Sequence, residues 1–281
     1  MYGLEIKNLT VDFKTFKLDN INLNIKKGCI TGLIGRNGAG KSTLIKTIMR
    51  QQDAQSGSIL YNGKRFAEDE EGILENIVCV YDAPDFSLMQ KPKNFVKLYS
   101  AIYSGFDIDK YNALMEKFSL PHDMRLSKFS FGMKKKYCLI LALCRKSEIL
   151  ILDEPTSGVD PFDRNGIVSL IQEYMMDENR TVLFSTHITE DLDKIADYIV
   201  MMQDGKITID EPKETLTEKY RLVQCSEMTP DMERGAIGLK KGMFGYTFLT
   251  KDIGISGEGV IAKVPTVEEI FVHLLENGGR L

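Results

Sequence analysis

Residue types that build metal and redox sites are scarce in this chain. Its 281 residues include five cysteines and three histidines. No two cysteines form the close pair that zinc sites and redox motifs need, and most lie in apolar stretches, which indicates small core residues in a reducing compartment. The histidines, His122, His187 and His273, are scattered. The sequence therefore predicts neither a zinc site nor a cysteine redox centre.

Long apolar runs and an excess of positive charge are also missing. The longest apolar stretches, residues 137–144 and 149–152, are much shorter than the about 18 residues that a membrane-spanning helix needs. Residues 1–7 alternate apolar and polar side chains, so no signal peptide is expected there. The net charge of −4 argues against nucleic acid as the main partner. We expect a soluble protein of one large or two modest domains, whose membrane role, if any, depends on a partner chain.

A phosphate-binding loop is the most informative motif that is present. Residues 35–42 read Gly-Arg-Asn-Gly-Ala-Gly-Lys-Ser, after an apolar stretch and before a segment with helical spacing. The glycines let successive N–H groups converge on phosphate oxygens, Lys41 adds a cation, and the Ser42 hydroxyl can bind magnesium. The phosphates would lie on a helix N-terminus, which favours anions. The predicted nucleotide contacts are Gly35, Asn37, Gly38, Ala39, Gly40, Lys41, Ser42 and Thr43.

Two later strands are predicted to deliver the catalytic side chains. The apolar stretch 149–152 ends in Asp153 and Glu154. Asp153 is expected to hold magnesium through its waters, and Glu154 to polarise the attacking water. His187 follows a strand predicted at residues 181–185, so it should emerge where the phosphates lie and donate to a γ-phosphate oxygen. Together with Lys41, Glu154 and His187 form the predicted catalytic set.

The order of patterns predicts an α/β fold with a mixed, largely parallel sheet. Segments before and after the phosphate loop alternate apolar and polar residues, and the last of them ends in the hairpin turn Asn62-Gly63. This pattern predicts an N-terminal antiparallel subdomain. Residues 84–146 have helical spacing and are interpreted as a helical insertion. Strands return, separated by helices, as parallel pairing requires. Residues 220–281 are interpreted as a small accessory α+β subdomain, with short strands at 244–249 and 260–264 and a final helix that begins with a capping box at Thr266. The predicted domains are therefore 1–219 and 220–281.

In this order and spacing the motifs resemble those of the ATP-binding subunit of an ABC transporter, over residues 4–209. Residues 157–160, Ser-Gly-Val-Asp, match the family's D-loop, and His187 matches its switch histidine. Residues 129–133, Phe-Ser-Phe-Gly-Met, stand where the family carries its signature, usually Leu-Ser-Gly-Gly-Gln. Ser130 and Gly132 are retained at the positions with the clearest phosphate chemistry. The resemblance implies a P-loop ABC cassette that binds ATP and Mg²⁺.

The family resemblance also implies partners. Two copies, or this chain and a homologous ATPase subunit, would pair head to tail, so that Ser130, Gly132 and Asp160 face the nucleotide held by the other copy. Hydrolysis would reopen the pair. A separate transmembrane permease subunit would dock near residues 82–103. The protein would then be cytoplasmic and peripheral on the inner face of the cell membrane.

The chain departs from the family pattern in the signature, where Phe131 and Met133 replace small and polar residues, and at the Q-loop. Asp82 stands where the Q-loop usually has glutamine, and its carboxylate is predicted to bind the magnesium ion. In the loop that stacks on adenine, Phe13 aligns best and is the predicted base contact. Phe16 is the alternative, because the segment is one residue shorter than usual. Stacking alone would also admit GTP. Lys134, Lys135 and Lys136 follow the signature, as either a solvated basic face or a contact with phosphate or lipid headgroups.

Within the family, several segments look most like bacterial exporter subunits for peptides, lantibiotics or drugs. These are residues 80–84, the signature and residues 186–191. An importer subunit stays open as an alternative. A non-transport ABC ATPase of translation or of chromosomes usually carries two cassettes or a long coiled coil, and this chain has one phosphate loop and no sustained heptads. A small-molecule kinase would leave the signature and His187 unexplained.

Overall fold

The computed structural model of the protein describes residues 1–83, 89–243 and 245–276, and its regular elements alternate between strands and helices along the chain. The strands are β1 (Tyr2–Asp12), β2 (Lys17–Lys26), β3 (Ile30–Ile34), β4 (Ser56–Tyr61), β5 (Lys64–Arg65), β6 (Ile77–Val80), β7 (Ile149–Asp153), β8 (Thr181–Thr186), β9 (Tyr198–Gln203), β10 (Lys206–Pro212), β11 (Arg221–Cys225), β12 (Ile237–Gly242), β13 (Gly245–Thr250) and β14 (Val260–Lys263). The helices are α1 (Lys41–Ile48), α2 (Glu70–Asn76), α3 (Pro92–Ile102), α4 (Ile108–Lys117), α5 (Phe131–Leu143), α6 (Pro161–Tyr174), α7 (Thr189–Ile195), α8 (Lys213–Glu218), α9 (Pro230–Gly235) and α10 (Val267–Glu276).

A six-stranded sheet, in the order β10-β9-β3-β8-β7-β6, lies at the centre. The five strands from β9 to β6 run parallel, and β10 turns back against β9 through Asp204 and Gly205, both at positive φ. Every residue of β3, β7 and β8 is buried, as expected for strands covered on both faces. Because the three are parallel neighbours, their carboxyl ends meet at one edge of the sheet, which positions the segments that follow them.

Side chains of the central sheet alternate between two cores. In β7, Leu150 and Leu152 join one cluster and Ile149 and Ile151 join the other. The first cluster packs against helices α3 to α7, and the second packs against α1 and the N-terminal antiparallel sheet. This two-sided burial explains why the strand is an uninterrupted apolar run rather than an alternating one.

The N-terminal antiparallel sheet has the order β2-β1-β4-β5, as the alternating pattern predicts. Asn62 and Gly63 join β4 to β5 and both adopt positive φ, which is the conformation that an Asn-Gly hairpin turn requires. The Tyr61 hydroxyl donates to the Ile48 carbonyl at the end of α1. This bond ties the sheet to the helix that follows the phosphate loop.

The segment between β6 and β7 is helical and contains α3, α4 and α5. Their apolar sides enter the cluster on the helical side of the central sheet, through residues such as Phe95, Tyr111 and Tyr137. The first residues of the predicted insertion, 84–88, lie outside the described residues. Within the described parts of the chain, no helix is long and apolar enough to cross a membrane.

The C-terminal region forms a third sheet, antiparallel, in the order β12-β13-β11-β14. Of the strands predicted here, 244–249 corresponds to β13, with Phe244 outside the described residues, and 260–264 corresponds to β14. The capping box of α10 is present: the Thr266 N–H donates to Glu269 Oε2 at 2.8 Å, and the Glu269 N–H donates to Thr266 Oγ1 at 3.1 Å. Helix α10 packs its apolar side into the core on the helical side of the central sheet, so this region shares a core with the rest. The domain boundary at residue 220 stays a prediction.

Candidate nucleotide-binding site

The phosphate loop connects β3 to α1, the context that the motif needs. Gly38 and Gly40 have φ of +84° and +111°, a backbone region that side chains other than glycine rarely adopt. At Gly35 the constraint is close approach, because a Cβ atom there would lie 2.6 Å from the Met202 carbonyl oxygen. The glycines thus allow the chain to turn tightly from the buried strand into the helix, against β9.

Lys41 begins α1 and is only 7% exposed. Its Nζ donates to the Gly35 carbonyl at 2.7 Å and lies 3.9 Å from Glu154 Oε1. Burial lowers the pKa of Lys41, and the nearby carboxylates of Glu154 and Asp153 act in the opposite direction. An ammonium carries three donors, so the Lys41 side chain can hold its loop and bind an anionic ligand together.

Asp153 and Glu154 lie at the carboxyl end of β7 and are held by β8. The buried Asp153 carboxylate accepts from Ser185 Oγ at 2.7 Å, and the Glu154 N–H donates to the Ser185 carbonyl at 2.9 Å. Glu154 has a φ of +51°, the left-handed conformation that is uncommon for a residue with a side chain. The first bond orients the Asp153 carboxylate, and the second joins the Glu154 backbone to the next strand.

His187 is paired directly with Glu154. Glu154 Oε2 accepts from the His187 N–H at 3.3 Å and lies 2.7 Å from His187 Nδ1. An ionised carboxylate only accepts hydrogen bonds, so this contact favours the proton on Nδ1 and leaves Nε2 for another partner. The histidine side chain is about half exposed, at 49%. The two predicted catalytic residues therefore form one unit beside the phosphate loop.

A cavity of about 690 Å³ opens over the phosphate loop, a size that suits a small-molecule ligand. Phe13 and Phe16, the two candidates for adenine stacking, both line it, because the backbone of residues 13–16 folds back through the Phe13 N–H to Phe16 carbonyl bond of 2.8 Å. Asp82 and Glu154 also line it. The sequence did not single out Arg36, which lines it too.

Ser130, Gly132 and Asp160 are not among the described residues that line this cavity. Ser130 caps α5, with its Oγ accepting from the Met133 N–H at 3.2 Å. Asp160 caps α6, and the backbone N–H of Asp163 is the largest cause that lowers the pKa of its carboxyl group. Both helix starts are exposed, so their donors and acceptors are accessible to a second molecule.

Lys135 and Lys136 are buried, and the interpretation of residues 134–136 as a solvated basic face was wrong for these two. Lys135 Nζ donates to Asp82 Oδ1 and to the Glu154 carbonyl, both at 2.7 Å. Lys136 Nζ donates to Asp163 Oδ1 at 2.8 Å. The carboxylate in place of the usual Q-loop amide was the available signal in the sequence, because a buried lysine needs an anionic partner of this kind.

The oxygen donors at the sheet edge fit a magnesium ion that is held jointly with phosphates. Among the described residues, no group of three or more His, Cys, Asp or Glu side chains is arranged to hold a metal alone. Ser42 at the start of α1 and the buried Asp153 carboxylate supply the hard oxygen atoms that magnesium prefers. Asp82 also faces the cavity, and its role as a metal ligand stays a prediction.

Comparison with known proteins identifies relatives over most of the chain. A family model described as "ABC transporter" matches residues 18–157. The lantibiotic transport ATP-binding protein SrtF of Streptococcus pyogenes is 31% identical, over 74% of this chain and 90% of that protein. The bacitracin transport ATP-binding protein BcrA of Bacillus licheniformis is 30% identical, over 73% and 67%. The solved structure of cbiO1 from Clostridium perfringens, part of the ABC transporter complex cbiONQ, has a TM-score of 0.64 at 28% identity, over 78% of this chain and 92% of that one. These likenesses confirm the predicted α/β cassette fold.

Proposed function

The chain belongs to the family of ABC transporter ATP-binding proteins, and we propose that it powers the export of peptide-like compounds through a separate membrane subunit. As a member of this family it binds and hydrolyses ATP and works with transmembrane partners. The observation that carries the ATPase part of the proposal is the Glu154–His187 pair beside the buried Lys41, with Glu154 and Lys41 in the wall of the phosphate-loop cavity. The names of SrtF and BcrA, which refer to lantibiotic and bacitracin transport, support export of peptides.

In the proposed binding mode the phosphate loop and Lys41 hold the triphosphate, and Phe13 or Phe16 stacks on the base. Magnesium, held by Ser42 and Asp153, would screen the charge of the phosphate oxygens. The cavity size and the two aromatic side chains in its wall support this assignment. No base-edge contact is needed for stacking, so we expect weak discrimination between ATP and GTP.

In the proposed hydrolysis step Glu154 orients and polarises the attacking water. His187 donates to the Glu154 carboxylate through Nδ1, and it donates to a γ-phosphate oxygen through Nε2 when that nitrogen also carries a proton, because phosphate oxygens only accept. The 2.7 Å contact between the two side chains and the left-handed backbone at Glu154 support a preorganised pair.

We further propose that two copies close head to tail around ATP, through the surface formed by the starts of α5 and α6. Phe131 in the signature packs on the D-loop, because a Cβ atom at Gly158 would lie 2.9 Å from the Phe131 ring. Phe162, at the start of α6, is 86% exposed. An exposed aromatic side chain beside two exposed helix N-termini supports a surface that is covered by another molecule.

The docking site that we propose for the membrane subunit is a groove of about 800 Å³ between β6 and helices α2, α3 and α5. Apolar side chains such as Leu74 and Ile102 line it, and Glu70, Glu71 and Glu75 stand at its side. This arrangement fits a short amphipathic helix that carries basic residues. Such docking would hold the protein on the inner face of the membrane. Residues 84–88 of the predicted docking stretch lie outside the described residues. Purification of the protein in detergent, followed by identification of any membrane chain that co-purifies with it, would test the assignment.

The cycle is tested by Glu154→Gln, which keeps the shape of the side chain and removes its basicity. We expect the rate of ATP hydrolysis to fall by about 100-fold or more while ATP binding persists, so that an ATP-bound dimer accumulates. Size-exclusion chromatography with ATP and magnesium, with light scattering, measures the mass. A Glu154→Gln protein that remains monomeric with ATP bound would count against the dimer cycle, and one that hydrolyses ATP at the normal rate would remove Glu154 from the mechanism.

A further inference from the structure

One buried lysine joins the Q-loop position to the catalytic glutamate. Lys135 lies in the second turn of α5 and is 3% exposed. Its Nζ donates to Asp82 Oδ1, which follows β6, and to the Glu154 carbonyl, which follows β7. We propose that Lys135 is a positioning residue for ATP hydrolysis. Its bond to the Glu154 carbonyl sets the position of the Glu154 carboxylate, and its charge balances that of Asp82. This inference rests on the proposed role of Glu154.

The bond to the Glu154 carbonyl acts on a strained part of the backbone. Glu154 is held at φ of +51°, and its own N–H is already bonded to the Ser185 carbonyl in β8. Lys135 holds the peptide on the other side of the same Cα atom through the shorter of two bonds to its carbonyl, 2.7 Å against 3.3 Å from the Ser157 N–H. With both flanking peptides held, the direction of the Cα–Cβ bond is defined, and with it the place from which the carboxylate reaches water.

The bond to Asp82 is what makes a buried ammonium acceptable at this position. An ammonium with almost no access to water needs an opposite charge and hydrogen-bond acceptors, and Lys135 has one carboxylate and one peptide carbonyl. The ring of Phe131 lies 5.4 Å from Nζ and adds a favourable aromatic face. Neither a glutamine nor a methionine at 135 would balance the charge of Asp82.

The same pair also controls the charge of the cavity. Asp82 is 58% exposed and lines the cavity together with Glu154. Without Lys135, the Asp82 carboxylate would have no cation partner at the cavity that is proposed to hold the phosphates of the nucleotide. Loss of Lys135 should therefore slow hydrolysis both by moving Glu154 and by adding negative charge.

A second lysine supplies a matched control. Lys27 Nζ contacts Glu148 Oε2 at 3.0 Å, also across a large sequence separation, and its side chain is mostly buried. Glu148 directly precedes β7, whereas Glu154 directly follows it. The two lysines thus tie the opposite ends of one strand, and only Lys135 lies at the nucleotide end.

The experiment compares steady-state kinetics and binding of a non-hydrolysable ATP analogue for Lys135→Met, Lys135→Gln and Lys27→Met. We expect Lys135→Met to lower kcat by about 100-fold, the size of effect that a small displacement of a reacting group produces, while the Kd of the analogue stays near the wild-type value. Lys27→Met should lower the melting temperature but leave kcat unchanged.

A rescue variant separates positioning from simple loss of structure. Lys135→Gln keeps a donor for the Glu154 carbonyl but leaves Asp82 unbalanced, so we expect the double variant Asp82→Asn with Lys135→Gln to be faster than Lys135→Gln alone. A kcat of Lys135→Met equal to that of Lys27→Met, or a double variant no faster than the single one, would overturn the inference.

Failure of the proposed function would look different. If Glu154→Gln also retained full hydrolysis, the assignment of Glu154 would fall and the positioning role with it. If Glu154→Gln were inactive while the Lys135 variants kept normal kcat, the inference about Lys135 alone would be wrong.

Discussion

Two buried lysines lie beside Glu154, and they reach it from different parts of the chain. Lys41 comes from the phosphate loop and bonds the carbonyl of Gly35, six residues earlier. Lys135 comes from α5, and its two acceptors belong to residues 53 and 19 positions away. Both ammonium groups are almost completely buried. They differ in how far along the chain their hydrogen-bond acceptors lie.

The contacts of Lys41 form within its own loop, whereas those of Lys135 form only when distant segments of the chain pack together. A glycine-rich turn between a strand and a helix brings the Lys41 side chain back to its own loop wherever that motif folds. Lys135 meets its acceptors because α5 packs against β6 and its second turn lies beside residues 82 and 154. A charged residue can therefore be assigned from a motif in the first case, whereas in the second the packing of distant segments decides its role.

The largest expected effect is that of Lys41→Met. Removing the buried ammonium from the loop should lower kcat/KM for ATP by about 1,000-fold, the upper range for loss of one preorganised charge at a reacting group. Because burial lowers the pKa of Lys41, its charge costs folding stability, so the variant should be as stable as the wild type or more so. Steady-state ATPase assays and thermal melting measure the two effects.

A control and a pH profile complete that prediction. Lys46→Met lies on the exposed side of the same helix and should leave the ATPase rate unchanged. In the wild type the unfolded chain holds the Lys41 proton to higher pH than the folded one, so stability should rise with pH from the lowered pKa up to the ordinary value of 10.5. Lys41→Met should lose this rise, and a parallel profile in both proteins would contradict the assignment.

Alanine substitutions at two glycines of the loop test which constraints hold the loop around Lys41. Gly40→Ala should destabilise the fold by about 3 kcal/mol, because its backbone is left-handed and the new Cβ would lie 2.6 Å from the buried Leu18 side chain. Gly38→Ala should cost only about 1 kcal/mol, since no atom lies within 4 Å of its Cβ position and backbone strain alone remains. Urea unfolding of both variants gives the comparison, and equal losses would mean that packing against Leu18 does not matter.

The smallest expected effect concerns Asp82, the partner of Lys135. Asp82→Asn should weaken the apparent affinity for magnesium by about threefold, in keeping with the loss of one largely exposed charge. The melting temperature should also fall, because the buried Lys135 ammonium loses its counter-charge. Asp69→Asn is the control, because Asp69 also pairs with a lysine at 2.7 Å but lies away from the cavity. A magnesium titration of ATPase activity that is unchanged in Asp82→Asn would leave Asp82 as a partner of Lys135 and remove it from the metal site.

The C-terminal region shows where sequence patterns give too little information. Strand β11 was not predicted, because Leu222 and Val223 are both buried, one in the main core and one in a small separate core with Phe248. Burial on both faces removes the alternation that marks a strand. Strand β12 was also missed, and only two of its residues are apolar enough to suggest one. The final helix was predicted because its capping box and apolar spacing are local.

What the sequence alone determined is the identity of the groups at the nucleotide end of the sheet. Asp153 ends a strand whose apolar run is visible in the sequence, and the phosphate loop, Glu154 and His187 directly follow such strands. Parallel strands bring their carboxyl ends together. Tertiary structure alone decided the partners of Asp82 and of the basic residues after the signature. Whether a lysine is solvated or buried against a carboxylate depends on the packing of α5 against segments far away in the chain. The helical spacing of α5 does not indicate which segments those are.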